Sequence, residues 1–298
     1  MNIKELVKNV KNKKSVVVVG LDPRFKRIPK EYRKLGVLEG LVKFNKEIID
    51  GVYKNVPAVK LQVAFYEKYG LDGLRAYIKT KKYAKQKDLF VIGDVKRGDI
   101  GSTSKAYSNG HLGKVEYDNK QVNDFEVDNI TVNPYLGSDC LNEFLSDIKK
   151  FDKSIFVLVK TSNDSSKEIQ DIKKNNQTIY EKVARLVKNM NKEFDYKYGK
   201  IGAVVGATYP KEMISLRKRM PKAYFLVPGY GAQGGTAKDV VNAFNKDGLG
   251  ALVNSSRGII FNYEKLKVSV KEGAKEAVKD MNNSINSELK KANKVYWK

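Results

Sequence analysis

The sequence predicts an α/β fold, a single closed parallel (β/α)8 TIM barrel. Eight short apolar runs rich in β-branched residues recur along the chain, each followed by polar or glycine-rich residues and then a helical pattern. The runs are apolar nearly throughout instead of alternating, as expected of strands covered on both faces. Eight such units within about 250 residues suit a closed barrel. The competing arrangement, an open doubly wound sheet, favours a G-x-G-x-x-G turn after an early strand, and none follows Gly20.

In chain order the strands are read at residues 15–20, 58–62, 90–94, 129–132, 155–159, 201–205, 224–227 and 251–254. Helical patterns lie between them at 39–53, 71–86, 138–150, 178–196, 210–220 and 239–245. Residues 111–126 are polar and strand-poor, and read as a loop or short irregular helix. The end, 263–298, is Lys-rich and helical in pattern, giving a closing helix and a charged tail. No repeat of fixed period divides the chain, so 1–298 reads as one barrel domain whose C-terminal segment, 264–298, is Lys-rich and helical.

Composition narrows the function. The chain is 41% hydrophobic, ordinary for a protein with a sizeable core. Residues 1–14 mix Lys and Glu with apolar residues, unlike a secretory signal. No stretch approaches the roughly 18 apolar residues of a membrane span. The single cysteine, Cys140, cannot form an internal disulfide, and a cytoplasmic location is expected. The formal charge of +23 admits a solvated basic surface, polyanion binding or steering of an anionic substrate. The lysines are spread along the whole chain with no nucleic-acid motif, which favours the first.

A barrel of this kind carries its chemistry at the carboxyl ends of its strands, where unpaired charge is expensive. Those ends hold Asp22, Lys60 and Gln62, Asp94 and Lys96, then Thr161-Ser162-Asn163. The last two strands contribute Pro228, Gly229, Tyr230 and Gln233, followed by Ser255, Ser256 and Arg257. Asp94 and Lys96 are two apart, so extended chain aims both to one face, with Lys60 on the neighbouring strand. Asp99 falls past them in a glycine-flanked loop. Alternating Lys and Asp can satisfy one another and hold an ammonium fixed; a structural ion-pair network at the rim is the alternative. Glycines in 227–235 and 254–258 let backbone N–H groups approach an anion, and Arg257 offers a forked donor for phosphate. Thr161-Ser162-Asn163 either caps the next helix or reads the edge of a heterocycle. One histidine, His111, cannot build a His-based metal cluster or triad, and reads as a surface residue. Cys140 reads as a buried or half-buried thiol, not a nucleophile.

These segments resemble the orotidine 5′-phosphate decarboxylase family, nearest to its longer-chain branch. The matching stretches are Val19-Gly20-Leu21-Asp22-Pro23, Val59-Lys60-Leu61-Gln62, 94–103, 131–137, Thr161-Ser162-Asn163, Val205-Gly206-Ala207-Thr208, 228–235 and Ser255-Ser256-Arg257-Gly258. They fall in the family's order from residue 19 to 258. Gln62 departs mildly from a proline-preceded glutamine. The resemblance implies cofactor-free, metal-free decarboxylation of orotidine 5′-phosphate to UMP and CO2, the last step of de novo UMP synthesis. It implies Lys96 as proton donor to C6, Asp94 beside the substrate carboxylate, and Lys60 and Asp99 completing a charged array. Asp99 and Thr103 would reach the partner's site in a homodimer. Asp22 and Lys60 would bind ribose, Ser162 the pyrimidine edge, and Pro228, Tyr230, Gln233 and Arg257 the phosphate end. Association with orotate phosphoribosyltransferase is left open.

Two other functions stand against this one. A Mg-dependent sugar-phosphate decarboxylase or aldolase on the same barrel predicts metal dependence. A basic RNA-binding protein predicts tight, salt-steep RNA binding without turnover.

Overall fold

The computed structural model describes residues 1–297. Eight parallel strands form the barrel: β1 Val17–Gly20, β2 Ala58–Gln62, β3 Phe90–Arg97, β4 Asn129–Val132, β5 Ser154–Lys160, β6 Ile201–Val205, β7 Phe225–Val227 and β8 Ala251–Ser255. Each pairs with its sequence neighbours, and β1 pairs with β8 to close the cylinder. The Val, Ile, Leu and Phe residues of these strands other than Leu158 are buried between the barrel interior and the surrounding helices. That double coverage is why the strands read as continuous apolar runs.

The outer layer includes helices Gly36–Val52, Gly70–Gln86, Gly101–His111, Ile179–Met190, Pro210–Arg219 and Val270–Lys291. Capping boxes set two of the starts, Thr178 with Glu181 and Ser269 with Glu272. A further helix, Ile3–Lys13, starts on the Asn2–Glu5 capping box and was not anticipated. Asn2 bonds Asp152, Asn9 the Asp88 carbonyl, and the Met1 amine Asp128. Those three partners immediately precede β5, β3 and β4, so this helix crosses the amino-terminal mouth of the barrel.

Several expectations are corrected. The 111–126 stretch is not a loop or irregular helix: it contains a hairpin, Val115–Tyr117 paired antiparallel with Lys120–Val122. Asp118 and Asn119 turn it with φ of 45° and 60°, the left-handed pair that a tight hairpin turn needs. A second hairpin, Lys173–Lys174 with Gln177–Thr178, turns on Asn175 and Asn176 in the same way. The helix expected over 138–150 breaks into Ser138–Asn142 and Leu145–Lys150. That over 178–196 ends at Met190 in a 3-10 turn. That over 239–245 is Ala237–Val240 with a 3-10 continuation. The C-terminal tail is not simply a charged extension. Tyr296 is buried and bonds Asn286, and the Lys294 ammonium bonds the carbonyls of Val241 and Phe244. Lys298 lies outside the described residues.

Candidate active site

Strands β2 and β3 lie side by side, with Lys60 opposite Ile92 and Gln62 opposite Asp94. The Lys60 ammonium sits 3.0 Å from Asp94 Oδ2 and 3.5 Å from Asp22 Oδ1. Lys96 Nζ contacts the other Asp94 oxygen at 2.5 Å. Burial works against ionising Asp94, but Lys60 and Lys96 overcome it and hold the carboxyl well below its usual range. Burial likewise opposes the charged form of Lys60. Asp22 and Asp94 outweigh it and raise the ammonium's pKa. Lys60 and Asp94 are thus locked in charged form, while Lys96, with 44% of its side chain exposed, keeps an open side.

Lys96 has φ of 47°, a left-handed backbone that costs a lysine on the order of 1–3 kcal/mol unless its surroundings fix it. The register of β3 against β4 shifts between Gly93 and Arg97, which frees the strand to make this turn. Thr131 on β4 holds it. Its hydroxyl donates to Asp94 Oδ1 at 2.9 Å and accepts from the Lys96 backbone N–H at 2.9 Å. Sequence reasoning missed this residue, which there is one more β-branched member of an apolar strand.

Asp22 closes the array from β1. Its Oδ2 accepts from Ser256 Oγ at 2.5 Å and its Oδ1 from the Gln62 N–H at 3.3 Å. Gly20 makes this approach feasible, since a Cβ there would come within 1.8 Å of Ser256 Oγ.

Two neighbouring cavities share the strand ends. One, of about 240 Å³, is lined by Lys60, Asp94, Lys96, Thr131 and Thr161-Ser162-Asn163 over a floor of Leu158, Val204 and Leu226. The other, of about 170 Å³, is lined by Asp22, Tyr230, Gln233, Ser256 and Arg257, with Arg24 and Phe65 as unanticipated members. Pro228 and Asn254 line both. The second cavity's loop turns at Gly229, Gly231 and Gly234, with φ of 96°, 71° and 92°. Arg24 and Arg257 are exposed beside it. A sugar phosphate spanning the pair would place its anion among glycine amides and arginines, and its other end against the ammonium array.

The structure thus brings Asp22, Lys60, Asp94, Lys96, Ser162, Pro228, Tyr230, Gln233 and Arg257 to one end of the barrel. It does not bring Asp99 or Thr103 there: neither lines either cavity. Asp99 Oδ1 accepts from the Ile100 N–H at 2.8 Å, and Thr103 is exposed on the helix that follows. Thr161-Ser162-Asn163 does not cap a helix through its side chains; Asn163 precedes a 3-10 turn without a capping bond. Cys140 is buried, as expected. His111 is not on the surface. It is 8% exposed, packs on Phe125 and leaves Nδ1 buried without a partner among the described residues. Burial, helped by the charge of Arg97, pushes its pKa down to about 4. It lies on the buried face of its helix with Ser104 and Ser108, which polarity alone could not reveal. No group of three or more His, Cys, Asp or Glu stands in metal-holding array among the described residues.

Residues 15–271 match the model of the orotidine 5′-phosphate decarboxylase / HUMPS family. An orotidine 5′-phosphate decarboxylase of Rhodopirellula baltica is 44% identical over 288 residues, covering 93% of this chain and 94% of the relative. The solved OMP decarboxylase of Leishmania donovani superposes with a TM-score of 0.75 at 30% identity, covering 96% of this chain and 98% of that one. The UMP synthase of the same organism superposes with a TM-score of 0.78 at 32% identity, covering 97% of this chain and 56% of that one.

Proposed function

Because this chain belongs to the orotidine 5′-phosphate decarboxylase / HUMPS family, and its relatives mark it as a carboxy-lyase, we propose that it converts orotidine 5′-phosphate to UMP and CO2 through the Lys60–Asp94–Lys96 array. The observation that carries this reading is the array itself: a buried carboxylate held ionised between two ammonium groups that line the cavity, one of them, Lys96, with an exposed side.

In this reading the phosphate lies in the glycine-rich cavity with Arg257, Gln233, Tyr230 and Pro228, and the ribose over Asp22 and Lys60. The pyrimidine lies over Leu158, Val204 and Leu226, with Ser162 at its edge. The C6–carboxylate bond breaks and its electron pair stays on C6. The Lys96 ammonium, already oriented by Asp94, stabilises that charge and delivers a proton to C6, leaving a neutral amine that solvent reprotonates. Binding energy from the distant phosphate helps hold the reacting carbon in place. Asp99 and Thr103 act in a second copy's site. Supporting this, both lie outside their own cavities, and Ile100, next to Asp99, is apolar and 58% exposed. The proposed reaction would place the chain at the end of UMP synthesis, downstream of an orotate phosphoribosyltransferase.

The test is the ultraviolet absorbance of orotidine 5′-phosphate with purified protein and EDTA. Loss of the orotate chromophore with wild type but not with Lys96→Ala is expected. A folded wild type that leaves the absorbance unchanged would sink the proposal.

A further inference from the structure

One buried charge this reaction does not use is Lys160. It ends β5, two residues after Leu158, which floors the base cavity. Strand alternation would aim Lys160 into that cavity as a third ammonium. Instead the β5–β6 register slips, with Val204 opposite Leu158 but Val205 opposite Lys160. This bulge turns the side chain away. The side chain is fully buried, its ammonium 2.5 Å from Asp171 Oδ1 and 4.5 Å and 5.4 Å from the ring centres of Tyr209 and Tyr180.

Tyr209, and the residues adjoining Asp171 and Tyr209 in the chain, hold the Thr161-Ser162-Asn163 segment. Gln170, next to Asp171, accepts from the Thr161 N–H at 3.0 Å and donates to Thr161 Oγ1 at 2.7 Å. The Tyr209 hydroxyl donates to the Asn163 carbonyl at 3.1 Å and accepts from Ser166 at 3.2 Å. Thr208 donates to the Ser162 carbonyl at 3.2 Å. One end of the segment is therefore held by Gln170, the chain neighbour of Asp171, and the other by Tyr209, whose ring lies against the buried ammonium.

We infer that Lys160 and Asp171 are specificity-positioning residues: their ion pair fixes Thr161-Ser162-Asn163 so that it discriminates the edge of the pyrimidine, independently of the charged array. The inference rests on the substrate placement proposed above. Uracil and cytosine exchange donor for acceptor at adjacent ring positions, so only a rigid polar segment separates them well. A loosened segment re-pairs with either base.

Calorimetric titration of UMP, CMP and ribose 5-phosphate into wild type, Gln170→Ala, Asp171→Asn, Lys160→Met and Lys160→Arg tests this. Gln170→Ala leaves the buried pair in place, so it reports even if the charge variants do not fold. The preference for UMP over CMP should fall about tenfold in Gln170→Ala and Asp171→Asn, with Lys160→Arg closer to wild type than Lys160→Met. Ribose 5-phosphate affinity should stay within about twofold. An unchanged UMP preference in the folded variants would overturn the inference, as would parallel loss of ribose 5-phosphate binding. Wild type that binds no UMP and decarboxylates nothing refutes instead the function on which it rests.

Discussion

The two cavities at the carboxyl end of the barrel are built on opposite plans. Around Asp94 every charge already has a partner: both carboxylate oxygens are occupied, and Lys60 lies between two aspartates. Around Arg257 the charges are exposed and the backbone turns on three glycines. The first cavity is organised before substrate arrives, and the second awaits an anion. Transition-state charge is best met by groups that need no rearrangement, whereas a phosphate that stays unchanged can be captured by a loop that closes on it.

The comparison can be broken most severely at Lys96. Lys96→Ala should lower kcat about a thousandfold or more, with UMP still bound, as measured by steady-state turnover and ligand titration. Arg257→Ala should act on the other side of the contrast. Its KM should rise on the order of a hundredfold with a smaller change in kcat, because it removes a charge-assisted contact made equally in ground and transition states. If Arg257→Ala lowered kcat as much as Lys96→Ala, the division of labour would fail. Thr131→Val sharpens the contrast by removing only a hydroxyl that fixes Asp94 and the Lys96 backbone. A fall in kcat of about tenfold with little change in KM is expected, largely restored by Thr131→Ser.

The smallest effect on turnover concerns pH. Asp94 has a depressed pKa, so its contribution to stability persists above the ordinary carboxylate range and is lost only as pH falls below it. Lys60 is raised, so its contribution persists below the ordinary lysine value and fades as pH rises beyond it. Neither titrates near neutrality. His111 differs in that its pKa falls from 6.5 in the unfolded chain to about 4 on folding, so the unfolded chain binds the extra proton between those values. Stability should therefore drop by about 3 kcal/mol at most between pH 6.5 and 4. His111→Phe should flatten that slope in thermal melts while leaving kcat at neutral pH nearly unchanged. A wild-type slope retained by His111→Phe would place the acid sensitivity elsewhere.

The barrel was legible because its strands are buried on both faces and read as apolar runs, and β2, β4 and β6 fall at the expected residues. The hairpins at 115–122 and 173–178 were not, since Lys, Glu and Asn in short exposed strands carry little apolar signal. Within the site, charges at strand ends were visible because charge there needs a reason. Thr131 was hidden by its chemistry: a threonine fits any buried strand, and its role exists only through the shifted β3–β4 register. Lys160 was passed over: it falls just past the apolar run read at 155–159, and its partner comes eleven residues later. Asp99 and Thr103 show a different gap, because neither lines either cavity of its own chain.

The bond between Ser256 and Asp22 joins residues 234 positions apart, across the seam where β8 meets β1. On the ribosome the first strand emerges long before its closing neighbour, and at about 5–20 residues per second the interval is on the order of tens of seconds. Throughout that time β1 has an unpaired edge open to other chains, and Asp22 has no hydroxyl to set its orientation. Competence therefore arrives in a single late event, when the eighth strand docks, and a chain released short of it holds most of the charged array but cannot close the barrel around it.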